Sequence, residues 1–81
     1  MIEVRFCQAV ARWVREAQHF SFISERTCPE SGEPIMSYRA REQQIVRWLL
    51  GWGDQFEVIT PEAIRTEVAR IAGSMVQNHV G

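Results

Sequence analysis

The sequence predicts an α+β domain, a ferredoxin-like βαββαβ plait with an additional C-terminal helix. Three observations predict it. Hydrophobic spacing switches repeatedly between two and three-to-four residues, turn-forming residues fall at the switches, and the succession of periods is that of two βα halves around a hairpin.

Each element follows in order. Residues 2 to 6, IEVRF, set Ile2, Val4 and Phe6 against Glu3 and Arg5, the alternation of a half-buried strand. The next stretch, QAVARWVREAQ, places Val10, Trp13, Val14 and Ala17 on one helical stripe, so core is the expected place for Trp13. Residues 20 to 27, FSFISERT, return to strand-like composition, CPESGEP follows as turn, and IMSYRA supplies the returning strand of a hairpin. From Arg41 the helical period resumes through Ile45, Val46, Leu49, Leu50 and Trp52, and Gly51 and Gly53 end it. Gly53 is the expected left-handed cap, since glycine alone takes positive φ without steric cost. QFEVI is a short strand. Thr60 then reads as N-cap and Pro61 as first helical residue of a last helix, whose apolar face is Ile64, Val68, Ile71, Ala72 and Met75 and which ends near Asn78. In such a plait two helices cover one sheet face, and the other face awaits the third helix or a second subunit.

An 81-residue chain suffices for one modest core and hence one domain. Its 46% hydrophobic and 23% charged residues suit a globular chain and exclude disorder by composition. No apolar run approaches the roughly 20 residues of a membrane-spanning helix, and the N-terminus lacks signal-peptide order, so a cytoplasmic location is expected without membrane attachment. Net charge is −1, which does not announce a nucleic-acid binder. All nine basic residues are arginine, which reflects genome composition or a need for the guanidinium fork that pairs with carboxylate and phosphate. Cys7 and Cys28 lack any metal-binding spacing and read as free thiols.

Residues 48 to 65, WLLGWGDQFEVITPEAIR, run a helix end, a glycine turn, a strand and a proline-started helix together. That order resembles the WCX domain, the C-terminal extension of WYL domains in bacterial helix-turn-helix transcription regulators. Trp52-Gly53, the run from Glu57 to Pro61, and Ile64-Arg65 hold the places of the family's glycine turn, its proline-terminated strand and its helix opening. The similarity spans about residues 2 to 78, with VRF near the start, a turn glycine at Gly32 and the later YRAREQQIVRWLL. One departure is the C-terminal MVQNHVG, where the family often carries an aromatic residue.

The resemblance implies that residues 1 to 81 form a single WCX-like domain, the C-terminal piece of a longer transcription regulator. The WYL domain and the DNA-binding helix-turn-helix would be partners in the parent chain. It also implies a homodimer, and a groove for a nucleic-acid or nucleotide-like effector. The alternative on the same βαββαβ order is a small-molecule-sensing regulatory domain with an apolar cleft at a sheet-to-sheet dimer interface.

The residues themselves display no catalytic constellation: no GxSxG, HExxH or P-loop pattern occurs, so an enzyme is not expected, nor a cofactor or metal. Arg26, Arg39 and Arg41 gather on the hairpin and the junction after it, where bidentate contacts to phosphate are one reading. Surface pairing with Glu25, Glu30, Glu33 or Glu42 is the other. Arg65, in the first turn of the last helix, is placed against the helix dipole, so pairing with Glu57 or contact with a ligand is expected to hold it. Arg5 reads as a surface pair. Tyr38 alternates with Arg39 and lies on the opposite face. Trp48 falls off the main stripe of its helix and is the expected exposed interface anchor.

Overall fold

In the computed structural model, which describes residues 1–80, the alternation of IEVRF becomes strand β1 (Ile2–Phe6), with Ile2, Val4 and Phe6 buried and Glu3 and Arg5 half-buried on the other face. Helix α1 (Gln8–Glu16), hairpin strands β2 (Phe22–Thr27) and β3 (Pro34–Tyr38), helix α2 (Glu42–Leu50), strand β4 (Phe56–Thr60) and helix α3 (Glu62–His79) follow. The strands form one antiparallel sheet in the order β2-β3-β1-β4, the arrangement of a ferredoxin-like plait. The core of Val4, Phe6, Val14, Met36, Tyr38, Ile45 and Leu49 lies between the sheet and its helices.

The opposite sheet face is a lattice of side chains. Ile35 of β3 sits between Arg5 of β1 and Arg26 of β2, and the long arginine stems on either side leave it 4% exposed. Arg5 pairs with both Glu33 and Glu57, Arg26 lies 3.4 Å from Glu3, and Arg65 lies 3.7 Å from Glu57. Helix α3 does not cover this face. It packs along β4 and α2, with Ile64 in the core and Val68 and Ile71 against it, while Met75 and Val76 stay exposed.

Three expectations need correction. Thr60 is not an N-cap: it stays in the ladder opposite Glu3, so Pro61 is the extended cap residue and its carbonyl accepts from Ile64 and Arg65. Trp13 is not core. α1 buries Ala11 and Val14, which turns Trp13 to the flank at 53% exposure, with the Arg12 guanidinium 5.1 Å from its ring. Trp48, expected as the exposed anchor, is half-buried, its ring edge-on to Phe6, Tyr38 and Trp52. The cause is tertiary: the loop between α1 and β2 brings His19 onto that flank of α2, 5.2 Å from the Trp48 ring.

The turn after α2 has Gly53 at φ 66°, left-handed as the sequence predicts, but the C-cap residue is Gly51 at φ −63°, so Gly53 turns the chain two residues beyond the cap. Gly53→Ala is expected to lower stability by about 1 kcal/mol, because open space around the position leaves only the backbone penalty. Gly73→Ala, in the middle of α3 with no neighbour in the way, is expected to raise it by about 0.5–1 kcal/mol. A Gly53→Ala protein that melts at or above wild type would refute the left-handed assignment, with Gly73→Ala as the control for helix propensity.

Candidate functional site

β3 ends at Tyr38 because the chain must leave the sheet to start α2, and the junction is fixed by backbone bonds. The Arg39 N–H donates to the Ser21 carbonyl at 3.0 Å, and the Arg41 N–H donates to Gln44 Oε1 at 2.9 Å, which makes Arg41 the N-cap residue of α2. Both arginines are exposed, and neither joins an ion pair among the described residues. A cation at the positive end of a helix gains nothing from the dipole, whereas an anion there is stabilised.

The other two candidate arginines are engaged. Arg26 approaches Glu3, and Arg65 donates to the Val58 carbonyl at 2.7 Å while flanking Glu57. Arg65 thereby satisfies one backbone carbonyl of β4, and its pairing with Glu57 follows one of the two sequence readings. The four do not converge. Arg26 is level with Ile35, four residues along β3 from Arg39, a rise of about 13 Å. β2 and β4 are opposite edges of the sheet, so Arg26 and Glu57, the carboxylate beside Arg65 of α3, stand about 14 Å apart by strand spacing. Arg39 and Arg41 form one corner; Arg26 and Arg65 belong to the charged lattice.

That lattice is balanced. A cavity of about 560 Å³ on the open face is lined by Arg5 and Arg26 but also by Glu30 and Glu57, so it offers an anion no net attraction. Glu33 beside it holds the Arg5 guanidinium above its ordinary range. Cys28 lines the same cavity with its thiol lowered by hydrogen bonding to Ser31. A second cavity, about 260 Å³ between α3 and β4, is lined by Leu50, Phe56, Val58, Val68 and Ala72. It lies on the helical side of β4, away from the sheet face where the small-molecule alternative needs a cleft.

Tyr38 is unavailable as a stacking residue: it is fully buried, burial pushes its phenol up, and its hydroxyl donates to Gln18 Oε1 at 2.7 Å. The aromatic that is available went unpredicted. Phe20, in the turn before β2, is 80% exposed, and its ring stacks on His19 at 4.5 Å. Its only sequence signal was position, two residues ahead of Phe22 in a run that reads as strand throughout.

Among the described residues no three of His, Cys, Asp and Glu converge as a metal site, and no helix is long and apolar enough to cross a membrane. Compared with known proteins, the chain matches the family model described as the WCX domain over residues 2–76, nearly its whole length. No curated protein matches it.

Proposed function

The chain belongs to the WCX domain family, and from that premise we propose that it serves a WYL-type bacterial transcription regulator as its C-terminal dimerisation and effector-contact module. Its work is binding, without chemistry of its own, in the cytoplasm. The helix-turn-helix of the parent regulator reads DNA, and this domain with the WYL domain holds an anionic effector, a nucleic acid or nucleotide-like molecule. One observation carries the effector part: Arg39 and Arg41 are exposed, without carboxylate partners among the described residues, and sit together where α2 begins. Arg26 and Arg65 support the scaffold around them.

Phosphate contacts register in the salt dependence of binding, with a slope of roughly −0.7 per contact for single strands. In the full-length protein, Arg39→Ala is expected to weaken oligonucleotide binding and to make the slope of log affinity against log salt shallower by about 0.7. Unchanged affinity and slope would return Arg39 to the status of a solvated surface charge. The same full-length sample should give a dimer mass by light scattering, and a monomer at high micromolar concentration would remove the dimerisation half of the proposal.

A further inference from the structure

An exposed phenylalanine is common, but a rigidly mounted one is not. His19 is 8% exposed and held at both ring nitrogens: the Ser21 N–H donates to Nδ1 at 3.2 Å, with Ser21 Oγ 2.6 Å from the same atom, and Nε2 lies 2.8 Å from the Gln44 carbonyl. Since Nδ1 accepts, the proton sits on Nε2, which donates to Gln44. The Phe20 ring rests on this fixed imidazole with an interplanar angle of 29°. At 80% exposure its remaining surface is open to solvent.

The mounting is shared with the free arginines. The Ser21 carbonyl, next to Phe20, accepts from the Arg39 N–H, and Gln44, whose carbonyl anchors His19, accepts at its side chain from the Arg41 N–H. A flat apolar platform and two exposed arginines without carboxylate partners among the described residues therefore start from one hydrogen-bonded corner, formed by the α1–β2 loop and the β3–α2 junction. A simple inorganic anion has no use for the ring, and an apolar ligand has none for the arginines. A nucleotide unit uses both, because it joins a planar π-face to a phosphate.

Resting on the effector role proposed above, we infer that Phe20 is a base-stacking residue, and that this corner holds one nucleotide of a single strand with its base on Phe20 and its phosphate at Arg39 and Arg41. Sequence tolerance follows, since every base offers a π-face.

The test compares a single-stranded oligodeoxynucleotide with an abasic oligomer of equal length and charge, both titrated into the full-length protein. Wild type is expected to bind the base-bearing strand about tenfold more tightly. Phe20→Ala is expected to bring the two probes within about twofold of each other while leaving the salt slope unchanged, because no phosphate contact is lost. Phe20→Trp is expected to keep the discrimination. A Phe20→Ala protein that still discriminates tenfold overturns the inference and leaves the effector role standing. So does a wild type that binds both probes equally with an Arg39-dependent slope. A wild type that binds neither probe overturns both.

Discussion

Phe6→Ala is expected to cost about 3–5 kcal/mol, the range for removing a buried phenyl from a packed core. The side chain is fully buried at the end of β1, with its ring edge-on to Trp48 at 6.3 Å and tilted against Phe56 at 6.5 Å. It thus joins β1, α2 and β4. A domain of this length has a total stability of only about 4–12 kcal/mol at the usual 0.05–0.15 kcal/mol per residue. The variant therefore loses a large fraction of that stability, and its urea midpoint should fall well below that of wild type. Urea unfolding followed by tryptophan emission reads this directly, since Trp48 is a neighbour of the deleted ring. Phe6→Leu, which retains much of the volume, should lose far less. A Phe6→Ala midpoint close to that of wild type would mean that the interface between sheet and α2 is not the core described here.

The elements that period and punctuation control were legible. β1 alternates because one of its faces packs under helices and the other carries Glu3 and Arg5. Gly53 was legible because positive φ has few other solutions. Local patterns failed where tertiary structure chose between equivalent local options. Thr60-Pro61 has the composition of an N-cap and a first helical residue, but pairing with Glu3 keeps Thr60 in the sheet. Trp13 and Trp48 exchanged roles for a similar reason. A stripe on the helical wheel is wide, and which flank is covered depends on what arrives from elsewhere; here it is His19, arriving on the Trp48 side.

The candidate site was legible only in part. Arginines at 26, 39 and 41 look clustered along the chain, but a hairpin separates residues as well as joining them: Arg26 pairs level with Ile35, leaving Arg39 further along at the other end of β3. Which arginines keep a free charge was decided by where the carboxylates fell. Glu3 lies across β3 from Arg26, and Glu57 lies beside both Arg5 and Arg65, while at the junction holding Arg39 and Arg41 the neighbouring Glu42 pairs with neither arginine. Phe20 could not be singled out at all, because FSFIS reads as continuous strand whether or not its first residues turn away to stack on a histidine.

His19→Ala is expected to be the most damaging change at that corner, costing about 3 kcal/mol. Two effects add. The imidazole occupies space against Trp48 at 5.2 Å and Tyr38 at 6.2 Å, and its loss leaves a void between the buried Tyr38 ring and the half-buried Trp48 ring. It also accepts from the Ser21 N–H, so a donor in a residue only 8% exposed loses its acceptor. At about 4–8 °C per kcal/mol for a domain of this size, the melting temperature should fall by more than about 10 °C. Ser21→Ala separates the two effects. It removes the hydroxyl at Nδ1 but leaves the backbone N–H and the ring in place, so its cost should stay near 1 kcal/mol. His19→Ala melting within about 3 °C of wild type would show that the loop between α1 and β2 is held by something other than its histidine. Under milder conditions, where the variant is still folded, Phe20 should have lost its support, and preference for base-bearing over abasic strands should weaken although Phe20, Arg39 and Arg41 are all still present.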